Sequence, residues 1–302
     1  MRWVIIGSSG YIGGALCKQL AAQGHSVLSV SRRASGPAGC EHLQIETFSH
    51  EAFGQVFLPA DQVVYLAGVS SVAECAKRPA QARWLNCELP MVLLRLADSA
   101  GVASFLYFSS VKARRTPSGI LADEASGVPA TDVYGASKWE AERALFAVPV
   151  RCRLNVIRPA AVYGDMAAVT GAVAATAGKK VIRLKKILGL IARYFPAVPG
   201  TGFRSVVSLV DLLRAVTLIE SQRCDREVFI AAEPRYYDIA EMVAAVTGRR
   251  PKVSRWLTHL MRVPAGRRFG ELQDSEVYSA GHLKRSLKWG VTQRYGDFLR
   301  GK

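Results

Sequence analysis

Through the first 160 residues, short apolar runs alternate with longer segments of mixed, roughly helical periodicity. The apolar runs are Trp3–Ile6, Ser26–Val30, Gln62–Leu66, Ser104–Phe108 and Leu154–Ile157. Few polar residues interrupt them, so they predict strands buried on both faces. Between them, Ile12–Gln23, Gln81–Ser99 and Tyr134–Phe146 carry the spacing of amphipathic helices. Buried strands alternating with helices predict an α/β fold with a Rossmann-like, doubly wound parallel sheet. Glu227–Ala231 predicts one more strand.

From about Asp165 the rhythm changes. Val181–Phe195 is apolar at 184, 187, 188, 190, 191, 194 and 195, a helical stripe, and carries Arg183, Lys185, Lys186 and Arg193 on its other face. Pro196, Pro199 and Gly200 end it. The first reading is a core-facing helix with a solvated basic face; contact with a membrane, or with a phosphate-bearing substrate, are the alternatives. Tyr237–Val246 predicts another helix, ended by Gly248. Residues 1–164 are expected to form a dinucleotide-binding domain to which the chain returns near 205–232. Residues 165–204 and 233–302 are expected to form a smaller C-terminal substrate-binding region.

With 302 residues, 50% of them hydrophobic, the chain can build one large core, or a core with a satellite. The longest uncharged run, Met166 to Gly178, falls short of the ~20 residues of a membrane span. Trp3–Ile6 reads directly as a strand rather than as part of a signal peptide, and the six cysteines form no C-x-x-C pair. A cytoplasmic protein with reduced thiols is expected. The charge adds more. Residues 1–150 hold 13 Lys/Arg and 12 Asp/Glu, whereas residues 151–302 hold 27 and 12, so nearly all of the net +16 lies in the second half. That field suits an anionic partner: a nucleotide-sugar diphosphate, an anionic membrane surface or nucleic acid, with plain solubility as the alternative. Nucleic acid is disfavoured, because the aromatic residues do not interleave with the arginines and no nucleic-acid motif is present. The five histidines show no ligand spacing, and no metal site is expected.

Two motifs carry chemistry. Gly7-x-x-Gly10-x-x-Gly13 follows the first strand and opens the first helix. Gly7 permits a tight turn, Gly10 lets backbone approach a pyrophosphate, and Gly13 lets helix and strand pack closely, with the helix N-terminus facing the phosphates. The second strand ends in Ser31-Arg32-Arg33, where an acidic residue would mark NAD. Arg32 and Arg33 suit a 2′-phosphate instead, which favours NADP, with NAD the alternative. Downstream, Tyr134-x-x-x-Lys138 places a phenol and an ammonium one helical turn apart. The ammonium is expected to lower the pKa of the phenol and so make it a usable acid/base at neutral pH. Ser110 follows a strand, at the carboxyl edge of the sheet, where its hydroxyl can hydrogen-bond a reacting carbonyl or alcohol.

These residues resemble an extended short-chain dehydrogenase/reductase of the NAD-dependent epimerase/dehydratase family. The similarity runs through Gly7-x-x-Gly10-x-x-Gly13, Tyr65-Leu-Ala-Gly68, Phe108-Ser-Ser-Val-Lys112, Tyr134-x-x-x-Lys138, Arg158-Pro-Ala-Ala-Val-Tyr-Gly164, Arg204-Ser205, Val210-Asp211-Leu212 and Leu287-Lys-Trp-Gly290, in family order. Ser-Ser-Val-Lys and Arg-Ser resemble a subgroup acting on nucleotide-activated sugars in cell-surface polysaccharide and O-antigen synthesis. The resemblance implies that Ser110, Tyr134 and Lys138 are catalytic, with Tyr134 exchanging a proton at the sugar C4 oxygen while hydride moves to or from the nicotinamide. It implies that Gly7, Gly10, Tyr11, Ile12 and Gly13 hold the cofactor diphosphate and Arg32 and Arg33 the adenosine ribose. Ala67 and Gly68 would meet the cofactor's central stretch, Pro159 would border the nicotinamide, and Arg204 would meet the substrate diphosphate. It further implies a homodimer paired through helices of the nucleotide domain. The chain departs from the family near Thr47, where an acidic adenine contact is usual, at Ala113-Arg114-Arg115, and in 165–180, which looks longer than usual.

Three classes follow. The first is an NAD(P)-dependent enzyme of nucleotide sugars, with a 4-keto reductase slightly preferred over an NAD-retaining UDP-hexose or N-acetylhexosamine 4-epimerase. A dehydratase is disfavoured, because Val111-Lys112 stands where those enzymes usually carry an acidic pair. The second is a non-catalytic NADP-sensing protein, which would have no need of a Ser/Tyr/Lys set. The third is nucleic-acid binding by the basic half.

Overall fold

A computed structural model describes residues 1–164, 175–260 and 272–301. The described residues divide into two compact units, one of 1–115, 127–159 and 213–230, the other of 116–126, 160–212 and 231–302.

The first unit is built on seven strands: β1 (Arg2–Ile6), β2 (Ser26–Ser31), β3 (Glu41–Gln44), β4 (Gln62–Tyr65), β5 (Ser104–Phe108), β6 (Arg153–Pro159) and β7 (Val228–Ala231). Their spatial order is β7-β6-β5-β4-β1-β2-β3, and the five pairings from β6 to β3 are parallel. The order reverses after β1, between β1 and β4, and open α/β sheets bind ligands at such a switch point. Both faces of the central strands are buried, which is why they read as unbroken apolar runs. Helices α1 (Tyr11–Ala22), α2 (Leu89–Ser99) and α3 (Val133–Ala147) supply covering layers. Val4, Val63, Tyr65, Phe105 and Tyr107 form one core cluster with Leu89, Leu93, Leu94 and Leu145. Each such side chain, fully buried, is worth roughly 1.5–3 kcal/mol.

Three details differ from the sequence expectation. Strand β3 is hydrophilic, with no fully buried residue, and is held by backbone pairing from Leu28↔Glu41 to Ser31↔Gln44. The segment expected as one helix over 81–99 is three pieces: Pro79–Arg83, a π-helical turn at Trp84–Glu88, and α2. Tyr237 lies in a short strand, and the helix expected from it begins at Ile239, because the Asp238 side chain accepts the Glu241 N–H at 2.7 Å and caps it there.

The second unit contains a three-stranded sheet of Ala161–Tyr163, Arg204–Ser208 and Tyr236–Tyr237. Asp211 is fully buried and accepts from Ser208 Oγ at 2.7 Å, Thr292 Oγ1 at 2.7 Å and the Thr292 N–H at 2.9 Å. The Trp289 indole N–H donates to the Asp211 carbonyl at 2.9 Å. Two motifs 78 residues apart are thereby one structural joint. The long helix Ala175–Tyr194 spans most of the expected Val181–Phe195, and its apolar stripe is split: Leu188 is buried, Leu184 and Ile191 are half-buried, and Leu184 packs on the core, while Ile187, Leu190, Tyr194 and, just beyond the helix, Phe195 are exposed. The uncharged run from Met166 begins outside the described residues. No described helix is long and apolar enough to cross a membrane.

Candidate functional site

The turn after β1 is shaped by backbone needs. Gly7 has φ +98°, and a Cβ there would lie 2.6 Å from the Ala67 nitrogen. A Cβ on Gly13 would strike the Gly7 carbonyl. Only glycine satisfies both demands. The Gly7 and Ser8 N–H groups donate to the Val30 carbonyl at 2.9 and 3.2 Å, fixing the turn against β2. Gly10 then caps α1 in an extended conformation, and Tyr11, Ile12 and Gly13 form the first helical turn.

Beside that turn lies a cavity of about 440 Å³, lined by Gly7, Ser9, Gly10, Ala67 and Gly68 on one side and by Arg32, Glu46, Thr47, Phe48, Gln81 and Trp84 on the other. The positive end of α1, the glycine backbone and the aromatic wall suit a dinucleotide's pyrophosphate and adenosine half. Arg32 lines the cavity, while Arg33 is exposed beside it. Their backbone is held from β3: His42 Nε2 pairs with the Arg33 carbonyl at 2.8 Å, His42 Nδ1 with Ser29 Oγ at 2.7 Å, and Gln44 donates to the Arg32 carbonyl at 3.5 Å. Glu46 restores an acidic group one residue from Thr47, where the sequence seemed to lack one.

Ser110 lies two residues beyond β5, caps the short helical turn Val111–Ala113 and is buried, its Oγ accepting the Lys112 N–H at 3.2 Å. Tyr134 is the second residue of α3, placed by Asp132, whose carboxylate accepts the Gly135 N–H at 3.0 Å. The Ser110 hydroxyl stands beside the phenol. Burial raises the Tyr134 pKa above its ordinary value, and the Ser110 hydroxyl offsets only part of that rise. This corrects the expectation of a phenol lowered by Lys138. Lys138 Nζ donates to the Phe108 carbonyl at 2.8 Å and sits 4.7 Å from the centre of the Tyr107 ring. Burial pushes Lys138 down to about 8, against the pull of Glu142.

Glu142 lies one turn beyond Lys138 and is buried with Arg158, which donates to it from Nε at 2.9 and 3.2 Å and from Nη2 at 2.5 Å. Ser109 Oγ also donates to Glu142. One carboxylate thus ties the strand end before Ser110 to the helix carrying Lys138. Pro159 closes β6 immediately after Arg158 and is buried. Arg114, a departure from the family pattern, stacks over Trp139 at 4.7 Å and donates to the Gly127 carbonyl.

Sequence reasoning missed Asn86. It is fully buried in the π-helical turn, with Oδ1 accepting the Val69 N–H at 2.9 Å and Nδ2 donating to Ser137 Oγ at 3.0 Å. A buried amide in an otherwise apolar helical pattern was the available signal. Tyr65 and Tyr107 donate their hydroxyls to the carbonyls of Leu85 and Asn86 at 2.6 and 2.5 Å, accounting for groups a π turn releases. Arg204 lies in the second unit, where its guanidinium donates to the carbonyls of Phe203, at 3.2 Å, and Asp274, with Glu276 at 3.9 Å.

A glycine turn at the switch point of a parallel sheet, with a buried serine, tyrosine and lysine in the same unit, is the arrangement of a dinucleotide-binding fold. Residues 3–228 match the NAD dependent epimerase/dehydratase family, and the chain belongs to it. It is 28% identical over 145 residues to a UDP-glucose 4-epimerase of Streptomyces lividans, covering 45% of this chain and 44% of that one. It is 25% identical over 148 residues to the UDP-glucose 4-epimerase of Rhizobium meliloti (strain 1021), covering 47% and 45%. The chain therefore matches less than half the length of these relatives. In fold it is similar to the Thermotoga maritima UDP-glucose 4-epimerase solved with UDP-glucose, with TM-score 0.74 and 21% identity over 99% of this chain and 96% of that one. It is also similar to the Bordetella bronchiseptica enzyme WbmG in complex with NAD, with TM-score 0.73 and 17% identity over 100% and 92%.

Proposed function

We propose that this protein is an NAD-retaining 4-epimerase of a nucleotide-activated sugar, working in the cytoplasm in cell-surface polysaccharide synthesis. The observation that carries the reading is the Ser110, Tyr134 and Lys138 set, joined through Glu142 and its strand end, in a unit that also holds a dinucleotide cavity. The names of the relatives favour epimerisation over the 4-keto reduction that the sequence alone favoured. Glu46 in the cavity favours NAD over NADP, because a carboxylate lining the same cavity as Arg32 opposes the added charge of a 2′-phosphate. Arg32 itself favours NADP, so that cofactor is the second reading. Mass analysis of the nucleotide released on denaturation separates the two: NAD in near-stoichiometric amount is expected, and an empty site that takes up only NADPH would overturn the proposal.

When bound, NAD supplies the acceptor and donor of hydride at the sugar C4 carbon. Ser110 and Tyr134 hold the C4 oxygen between them. Burial holds the phenol protonated, so the base is Tyr134 after it has released that proton, its phenolate favoured by the positive charges that Lys138 and oxidised NAD would bring. That phenolate takes the proton from the C4 hydroxyl and returns it after the keto sugar has presented its other face. Lys138, buried beside them, supplies positive charge for the phenolate and a donor for the cofactor ribose. Gly7, Gly10, Tyr11, Ile12 and Gly13 would hold the diphosphate, Ala67 and Gly68 the central stretch, and Pro159 would border the nicotinamide.

Lys138 implies a pH dependence. Its ammonium is present below about 8 and is lost as pH rises through that value, so turnover should fall above it. Glu142→Gln removes the opposing pull and should move the alkaline limb to lower pH. A kcat/KM profile from about pH 6 to 10 checks this, and an unmoved limb would detach it from Lys138.

Arg204 is retained as a contact for the substrate diphosphate, on the ground that a guanidinium pairs with phosphate bidentately. Arg204→Ala should raise KM for a UDP-sugar at every salt concentration. An unchanged KM would leave Arg204 only the role its contacts already give it, tying its strand to residues 274–276.

A further inference from the structure

We infer that the exposed face of the helix Ala175–Tyr194, continued by residues 253–260, docks the protein on an anionic lipid bilayer. The reading goes beyond the proposed activity and is independent of it. It starts from a conflict between pattern and packing. Ile187, Leu190 and Tyr194 stand at i, i+3 and i+7, so they share one face, and that face is in water: Leu190 is 54% and Tyr194 65% exposed. Lys186 and Arg193, seven residues apart, form a second exposed row beside it.

A second exposed apolar segment is held near the end of this helix by strand pairing. Phe195 and Pro196 follow the helix, and Ala197–Pro199 pairs with Lys252–Ser254, in register from Ala197↔Lys252 to Pro199↔Ser254. Just beyond that second strand, in the helical residues 255–260, Trp256 is 69% exposed and Leu260 is exposed as well. Solvent-facing Trp, Tyr, Leu and Ile at such density are unusual unless something covers them.

Charge selects the occupant. No Asp or Glu occurs from Met166 to Val210, nor from Met242 to Gly270, and each stretch carries seven Lys/Arg. Two of these are already paired, Arg204 with Glu276 and Arg250 with Glu241. A second copy of the chain would bring like charge against like. A nucleic acid would engage the basic row and leave the apolar row in water. A bilayer with anionic headgroups takes both: apolar and aromatic side chains enter the headgroup–acyl boundary while Lys and Arg reach the phosphates. The helix would lie in the surface plane, consistent with the lack of a spanning segment among the described residues.

The test is co-sedimentation of the whole protein with vesicles of phosphatidylcholine alone, or with about a third phosphatidylglycerol, at low and high salt. The protein should bind anionic vesicles at least ~tenfold more tightly than neutral ones and should release with salt. Each basic side chain near such a surface strengthens binding about fivefold, so Lys186→Glu with Arg193→Glu should lose at least ~tenfold. Leu190→Ser with Trp256→Ser keeps every charge and should also weaken binding several-fold, with the far-ultraviolet spectrum unchanged because both side chains face solvent. Equal binding to both vesicle types would overturn the inference. So would vesicle binding indifferent to the Leu190/Trp256 pair, or displacement from vesicles by a stoichiometric oligonucleotide, which would mark a nucleic-acid surface. Self-association in sedimentation, lost in the same variants, would mark an interface between copies instead.

Discussion

Replacing Tyr134 with Phe is expected to cut turnover by ~10²–10⁴-fold while NAD stays bound. The substitution removes one oxygen from a buried ring that packs with Cys75 and Ala82, so the helix start and the cavity wall keep their shape. What is lost is the hydroxyl that stands beside Ser110 and carries the proton in the proposed reaction. The released nucleotide should be the same in parent and variant, which separates lost chemistry from lost cofactor. Turnover within a few-fold of the parent would remove Tyr134 from the acid/base role.

Arg158→Met is expected to destabilise the protein by about 3–5 kcal/mol, because it strands a carboxylate in the interior. The Glu142 and Arg158 side chains are only 3% and 4% exposed, and Arg158 contributes three of the hydrogen bonds that compensate the burial of that charge. Replacing both residues with Met should cost much less than the single change, since a buried ion pair and a packed apolar pair are often close in energy. Urea unfolding of the parent, the single and the double variant measures both effects. A single variant within about 1 kcal/mol of the parent would mean that water reaches Glu142.

Much of the site is legible in the sequence because it is local. The glycine turn is read from three residues in seven, and the Tyr/Lys pair from helical spacing. Both depend on backbone geometry that neighbours in the chain dictate. The remainder depends on residues distant in sequence. Strand β3 has no apolar pattern, since it forms by backbone pairing at the sheet edge. The π turn at Trp84–Glu88 shifts the helical register without leaving a periodic mark, and its released carbonyls are taken by tyrosines on β4 and β5. Glu46 stands one residue from Thr47, and motif spacing alone does not say which side chain of that loop lines the cavity. The apolar stripe near 190 was visible, but amphipathicity does not say what covers a face. The direction of the Tyr134 shift was misread for a similar reason: spacing brings Lys138 onto the same helix face, yet burial acts more strongly on the phenol, and the ammonium bonds to the Phe108 carbonyl.

The central claim is that the chain carries its own NAD and uses it to invert a sugar carbon. The most direct measurement is proton NMR of a UDP-hexose or UDP-N-acetylhexosamine incubated with the purified protein and no added cofactor. The account predicts that the anomeric signal of the 4-epimer grows to equilibrium, with no net oxidation or reduction, and that Tyr134→Phe abolishes it. Failure to form any 4-epimer, together with NADPH-dependent consumption of a 4-keto nucleotide sugar, would contradict it.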